Sequence, residues 1–480
     1  MNAGLRAAQQ GLAESRAWLV GGAVRDELLG RDSVDYDVVV EGDPATAARA
    51  VARAGGRAAC FALSEDFGSW RVAARDGSWQ VDVEPLRAGT LEQDLALRDF
   101  TVNAIARPLA GGSPIDPLGG TRDLRAGRLR MAGPSSFALD PLRVLRLVRV
   151  AVELGLTPDE ETLRCAQGHA AGLAGVSGER VFVELSRTLA TPAARQGMEL
   201  IGRIGAGAVV LPELQALRGV EQSAYHHADV YQHTLEVLER AVELGAPGGA
   251  LGEESSAALE GHRAATQALL AEPLADGLTR GQALRWGALL HDAAKPATRA
   301  QLPGGRVTFM GHDRLGAQLA RDVLARLRTS ERLRAHVAAL VRHHLRLGFL
   351  VHEPQPLARR SVYDYLRACT PVEVDVTLLS VADRLATRGT GSRQAIAKHL
   401  SLANTMLGDA LRWRDRVQEP LVRGDVLADE LGIAEGPQLG ILLEEIARAR
   451  FAGEIATSAQ ALAHARAQLA GEGGEPNALP

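Results

Sequence analysis

The chain has 480 residues, too many for one compact core of ordinary size, so two to four domains are expected. With 46% apolar and 23% charged residues it is globular rather than disordered or fibrous. A formal charge of −4 excludes a uniformly basic surface, so any nucleic acid must meet local patches.

In chain order, residues 17–22 (AWLVGG) predict a short strand, 23–30 a helical turn or two, and Tyr36–Val40 a strand rich in valine. An Ala/Arg helix spans 44–56. Strands at 69–75 and 78–84 flank Asp76-Gly77, a hairpin signal. Residues 91–107 read as helix and 114–122 as a Pro/Gly turn region, which makes the first 120 residues a small mixed α/β domain. Helical patterns follow at 140–155, with Pro141 in the first turn, and at 179–191 and 193–205. Residues 225–400 are mostly helical and rich in histidine and aspartate. A Gly/Ala/Glu-rich stretch at 243–262 reads as a loop insertion, and 352–360 as a proline loop. Helix returns over 418–470, before a frayed end at 471–480.

The basic residues are nearly all arginine, Lys295 and Lys398 excepted, which reads first as compositional bias. Cys60, Cys165 and Cys369 are odd in number and far apart, as in a reduced cytoplasmic protein. No apolar run reaches membrane-spanning length, and the N-terminus has no signal-peptide profile.

Acidic residues are rarely placed in a strand as apolar as DYDVVV. Strand side chains alternate, so Asp35 and Asp37 share a face and Tyr36 takes the other. Two carboxylates on one face repel unless a cation lies between them, and Mg²⁺ prefers such hard oxygens. Asp82, on a later strand, can complete a two-metal site for phosphoryl transfer. Gly21 and Gly22 precede a helix start whose free amides suit phosphate, with Arg25 one turn further. The plain alternative for Asp35 and Asp37 is a solvated strand end.

GGAVRDELLG followed by DYD resembles the nucleotidyltransferase head of class II tRNA CCA-adding enzymes and bacterial poly(A) polymerases. Gly21, Gly22, Arg25 and Asp26 match its glycine loop, and Asp35 and Asp37 its metal-binding pair. LRDFTVNAIA resembles the ribose-recognition element through Arg98, Asp99 and Asn103, with Leu97 in place of its first arginine. On a helix, Asp99 and Asn103 would face one ligand; the alternative for Asp99 is a helix cap. IDPLGGTRDL resembles the turn linking head to neck, where Asp116 and Asp123 would tie the turns.

In DPLRVLRLVR, Asp140 and Arg143 would share a helix face, with Arg146 one turn along. A carboxylate that accepts and a guanidinium that donates can together read a base edge. The resemblance assigns that role to them, although Leu139 stands where the family has glutamate. The alternative is a surface ion pair. Seven arginines face two aspartates between residues 122 and 149, an excess suited to triphosphate or tRNA backbone. Glu179, Arg180 and Glu184 of SGERVFVELSRTL match a neck helix, in which Glu179 and Arg180 would act as braces. Gly424, Asp425, Gly436, Pro437 and Gly440 match a C-terminal element that would grip the tRNA body.

Histidines cluster mid-chain beside aspartates, a donor set for a transition metal or Mg²⁺. The series is similar to the HD phosphohydrolase superfamily, which carries ligand roles to His233, His291, Asp292 and Asp383. His312 and His343 match holders of a second metal in some members, with His344 the alternative to His343. Lys295 would steady a bound phosphate.

The resemblance implies an α/β nucleotidyltransferase head with a polymerase-beta-like mixed sheet (1–122), then all-α parts: a neck and base-selection region (123–215), an HD-type metal domain (220–400) and a tRNA-binding tail (415–470). It implies Mg²⁺-dependent, template-independent addition of CCA to tRNA 3′ ends from CTP and ATP, with 3′-end phosphohydrolase activity in the HD domain and a divalent metal of unspecified identity there. Poly(A), CC-only or A-only addition are the near alternatives. An HD phosphohydrolase, or an RNA-binding protein with an inactive head, is the distant one.

Overall fold

The computed structural model describes residues 3–64, 68–222, 228–246, 248–249, 251–387, 392–414 and 419–471. The frayed end anticipated at 471–480 lies outside them except for its first residue. The chain divides into two compact units, Met1–Val210 and Leu211–Pro480. Among the described residues, no helix is long and apolar enough to cross a membrane.

The first unit begins with α1 (Ala3–Gly11), β1 (Ala17–Val20), α2 (Gly22–Leu28), β2 (Asp35–Val40), α3 (Pro44–Ala54), β3 (Ala59–Ser64), β4 (Ser69–Ala73), β5 (Gln80–Pro85), α4 (Leu91–Ala96) and β6 (Ala106–Pro108). The strands form one mixed sheet in the order β3-β4-β5-β2-β1-β6. β2 runs parallel to β5, which sets Asp37 beside Asp82, and antiparallel to β1, which sets Asp37 opposite Val20. Alternation along β2 then sorts its side chains. Tyr36, Val38 and Val40 join Ala7, Ala8, Ala48 and Val51 in a core under α1 and α3. Val39 joins Trp18, Val20, Leu91 and Leu95 on the opposite face. Asp35 is exposed and Asp37 half-buried, so that second face opens toward the N-terminal end of β2.

Helices complete this unit: α5 (Gly120–Arg125), α6 (Ser136–Leu139), α7 (Arg143–Leu154), α8 (Glu160–His169), α9 (Gly178–Ala190) and α10 (Ala194–Arg203). α7 buries Val144, Leu145, Leu147, Val148 and Val150 along one stripe, and Gly155 at φ 67° stops it. The second unit is helical around a core that includes Val237, Leu284, Leu340, Leu366, Leu378 and Leu407. Its last three helices, Gly424–Leu431, Pro437–Ala452 and Ser458–Gly471, pack on a smaller apolar cluster of their own.

Four readings from sequence are corrected. The helix expected over 91–107 stops at Ala96, and a 3₁₀ turn at Thr101–Asn103 and β6 follow. The cause is non-local: Phe100 is fully buried and bridges Met131, and Thr101 N donates to Arg130 O. The helix expected from residue 140 starts at Arg143, and Asp140 stays extended because the following Pro141 disfavours helical backbone before it. The stretch 243–262 contains the helix Glu253–Ala258, with Ala258 and Leu259 in the core. β3 was not anticipated, since its Ala-Cys-Phe-Ala-Leu run carries no polar alternation.

The turn after β6 holds head and helices in register. Asp116 accepts from the backbone N–H groups of Gly120 and Thr121 at 2.7 and 2.8 Å. The buried Asp123 accepts from Thr101 Oγ1 at 2.8 Å and Arg130 Nε at 2.9 Å. A Cβ on Gly120 would stand 2.0 Å from Thr101 O, a backbone atom that cannot step aside. Gly120→Ala should therefore cost about 1–3 kcal/mol of unfolding free energy in urea titrations. Gly133→Ala, whose Cβ meets nothing nearer than 3.6 Å, should stay within about 0.5 kcal/mol of wild type.

Candidate active site and metal centre

Asp35, Asp37 and Asp82 each direct a carboxylate oxygen into one group whose atoms lie within 4.8 Å of one another. Asp82 is already charge-compensated: Arg71 reaches both its oxygens, Nε at 2.7 Å and Nη2 at 2.6 Å. Asp37 is not. Burial pushes its carboxyl up to about 7, with Glu84, Asp35 and Asp82 adding to the rise and Arg98 opposing it. Three hard oxygens with negative charge unbalanced at the middle one make a fitting donor set for divalent cations of the Mg²⁺ kind. Gly21 sits against this group. At φ 71° it occupies backbone space that side-chain-bearing residues avoid, and a Cβ there would lie 3.0 Å from Asp37 Oδ2 and 3.1 Å from Arg98 Nη1.

Behind the carboxylates runs a continuous polar chain. Arg25 donates to Asp26 Oδ1 at 2.9 Å and to Asn103 Oδ1 at 2.6 Å. Asn103 donates to Asp99 Oδ1 at 2.9 Å, and so does Phe100 N at 2.8 Å. Arg146 Nη1 reaches Asp99 Oδ2 at 3.4 Å and its Nε reaches Glu184 Oε1 at 3.4 Å. Glu184 also accepts from Arg149 Nε at 2.6 Å. Burial alone would raise Asp99, yet Arg146, Asn103 and Arg143 together hold it below the ordinary carboxylate range. A cavity of about 520 Å³ is lined by Arg25, Asp99, Asn103, Arg143 and Arg146 of this chain of contacts and by Gly21, Gly22, Asp35, Asp37 and Arg98. That is within the size range of nucleotide-sized ligand sites.

Asp140 and Arg143 do not form the surface ion pair that was the plain alternative for them. Arg143 donates to the carbonyls of Leu97 at 2.8 Å and of Arg98 and Ser136 at 3.2 Å. Asp140 Oδ2 instead accepts from Arg180 Nη2 at 2.8 Å. Leu139, 55% exposed, offers Arg143 no acceptor. The buried Glu184, to which the sequence reading gave no role, ties α9 to α7 through Arg146 and Arg149, alongside the Arg180 contact to Asp140. Glu84 and Arg87 also line the cavity and were missed. Glu84 lies two residues past Asp82 on the same strand face, and that spacing could have found it.

In the second unit, helix ends bring the histidines together. His233 Nε2 lies 3.0 Å from Asp383 Oδ1 and 3.8 Å from Asp292 Oδ2. His291 Nε2 lies 3.1 Å from Asp292 Oδ2, and His312 Nε2 lies 3.4 Å from Asp292 Oδ1. His291, His312 and His344 each set Nδ1 on the carbonyl three residues back, Ala288, Phe309 and Val341, at 2.7–2.8 Å. That contact makes Nδ1 the protonated nitrogen in each neutral ring and leaves Nε2 as a lone pair. Yet His312 Nε2 and His344 Nε2 lie only 3.3 Å apart. His344 is pushed down to about 4, chiefly by burial, so it is neutral near pH 7. Two facing lone pairs repel unless a cation joins them. Two ligand groups result, His233–His291–Asp383 and Asp292–His312–His344, with Asp292 between them.

His343 is corrected to His344. His343 points away, accepting from Arg346 Nε at 2.9 Å on Nδ1. Lys295 Nζ lies 2.7 Å from Asp292 Oδ2 and donates to Gln222 Oε1 at 2.7 Å. His399 shares a 3.1 Å contact with Ser380 Oγ and is pushed down to about 4 by burial and by nearby Arg384.

The profile described as "Poly A polymerase head domain" matches residues 17–130. "Probable RNA and SrmB- binding site of polymerase A" matches 155–217, and "HD domain" matches 230–388. An A-adding tRNA nucleotidyltransferase of Deinococcus radiodurans is 38% identical over 93% of this chain and 94% of its own. A CC-adding tRNA nucleotidyltransferase of Thermus thermophilus is 33% identical over 93% and 92%. A multifunctional CCA protein of Neisseria meningitidis is 33% identical over 73% and 77%. In fold, the chain is similar to the Bacillus stearothermophilus CCA-adding enzyme in complex with CTP. That match has a TM-score of 0.65 at 21% identity, covering 98% of this chain and 99% of the other.

Two measurements check these centres. A carboxyl raised to about 7 in the fold destabilises the native state progressively as pH rises from about 4 to 7, and fully above that. Asp37→Asn should therefore melt above wild type at pH 8 in chelator, converge with it near pH 4, and lose the stabilisation that Mg²⁺ gives wild type. For the histidine centre, His344→Ala should lower the Mn²⁺ bound per chain in equilibrium dialysis, whereas His343→Ala should leave it unchanged.

Proposed function

This chain belongs to the tRNA nucleotidyltransferase family, as a poly(A) polymerase-type head joined to an HD domain, and we propose that it extends tRNA 3′ ends without a template, adding CCA from CTP and ATP. The observation that carries the reading is the carboxylate group of Asp35, Asp37 and Asp82, the first two of which line a polar cavity. These carboxylates would hold Mg²⁺, which when bound acidifies the attacking ribose hydroxyl and offsets the charge of the leaving pyrophosphate. Gly21 lets backbone approach the reacting phosphates. Arg98 sets a positive charge beside Asp37. Asn103 and Asp99, held by Arg25 and Arg146, present a fixed donor and acceptor to the sugar. Asp140 and Arg143 select the base, and the second unit grips the tRNA body with its terminal helices.

In the HD domain, His233, His291, Asp292 and Asp383 would hold one divalent ion, and Asp292, His312 and His344 a second. The facing imidazoles of His312 and His344 support this. When bound, such ions activate water for phosphate-ester hydrolysis at a tRNA 3′ end.

A second reading, addition of CC only or of A only, is favoured by three observations. Asp140 and Arg143 are engaged with other partners rather than with each other, and Leu139 cannot orient Arg143 through a hydrogen bond. The two relatives above that match over 93% of the chain are named A-adding and CC-adding.

The test incubates one tRNA lacking CCA and another ending in CC with CTP, ATP or both. Three added nucleotides on the first, and one on the second, are expected. Stopping at CC, or acting only on the CC-ended tRNA, would establish the second reading. Long adenosine tails would contradict both readings. Transfer should fall at least ~10³-fold in Asp35→Ala and persist in Asp292→Ala; the reverse pattern would assign the activity to the histidine centre.

A further inference from the structure

The cavity over the histidine centre, about 600 Å³, has one wall that no role above uses. Arg384 lines it, directly after Asp383 on the helix Glu373–Ala386. Its Nε is buried without a hydrogen-bond partner, and among the described residues its guanidinium makes no ion pair. Arg149 and Arg280, by contrast, are matched to carboxylates, and Arg143, whose Nε is likewise without a partner, has its terminal nitrogens on backbone carbonyls. The other fixed cation of the cavity is committed, because Lys295 sits between Asp292 and Gln222. A guanidinium keeps its proton under all ordinary conditions, so burying part of one without an anion costs free energy that only a bound anion returns.

We propose that Arg384 is the anion-binding residue of this cavity and that it takes the phosphate group of a phosphate ester. The guanidinium fork spans two phosphate oxygens, which a lone ammonium cannot do. Ser380 and His399 stand on the same wall as neutral polar neighbours. The volume admits a nucleotide-sized group on that phosphate. The assignment rests on the reading of the HD domain as a metal centre, and it adds the residue and the ligand charge that this reading lacks.

The test is calorimetric, on the full chain, both metal-free and loaded with Mn²⁺. Inorganic phosphate, adenosine 3′-monophosphate and a short RNA with a 3′-terminal phosphate are titrated into wild type, Arg384→Gln and Arg384→Lys. Binding at the carboxylate cavity is common to all three proteins and cancels in the comparison. Arg384→Gln should weaken the second class of phosphate binding about 10- to 100-fold, and Arg384→Lys should retain part of it. Mn²⁺ stoichiometry and melting temperature should not change. Tighter binding of the RNA than of the monophosphate supports a polynucleotide end as the source. Equal binding supports a free phosphate ester. Phosphate affinity unchanged in Arg384→Gln overturns the assignment and leaves the metal centre standing. Mn²⁺ stoichiometry that does not fall in His291→Ala overturns the metal centre itself, and the assignment with it.

Discussion

The buried carboxylate of Asp99 fixes the geometry of the first unit. It lies where the sheet domain meets the helices that follow, and it cannot stay charged there without donors. Asn103, Phe100 N and Arg146 supply them. Through Asn103 it holds Arg25 at the glycine loop, and through Arg146 it reaches Glu184 and Arg149 on α9 and α7. Each link is modest alone, but removing one member strands a buried charge, which costs far more than a surface pair. The distance from β2 to the helix bearing Arg143 is thereby set by hydrogen bonds as well as by apolar contact.

The two centres of the chain pose the same electrostatic problem with different atoms. In the head, parallel pairing of β2 with β5 forces Asp37 beside Asp82, and backbone hydrogen bonds prevent their separation. In the second unit, backbone carbonyls fix three imidazoles with their lone pairs inward. Asp37 among its acidic neighbours, and His312 facing His344, are repulsive as they stand and favourable around a cation. Oxygen donors suit Mg²⁺ in the first, and mixed nitrogen and oxygen donors suit a transition metal in the second.

Much of this was legible in the sequence, because it follows from local rules. Alternation along DYDVVV placed Asp35 and Asp37 on one face and Tyr36 in the core, and the hairpin at Asp76-Gly77 followed from turn chemistry. What was not legible depended on contacts distant in sequence. The run FTVNAIA reads as helix until Phe100 pairs with Met131. Neighbouring His343 and His344 differ only in where the helix ends. Asp140 was misread although its signal was present, since a residue before proline is pushed toward extended backbone. Nothing local marked Arg180 as its partner, or Arg384 as an arginine with no ion pair among the described residues.

The claim that the Asp99 network acts as one unit is tested most directly by a double-mutant cycle between Arg25 and Arg146, which among the described residues share no hydrogen bond and connect through Asn103 and Asp99. The quantity to measure is kcat/KM for nucleotide incorporation in Arg25→Met, Arg146→Met and the double variant. The account predicts that the double variant loses little more than the worse single variant, as groups acting together do. Strictly additive losses would contradict it.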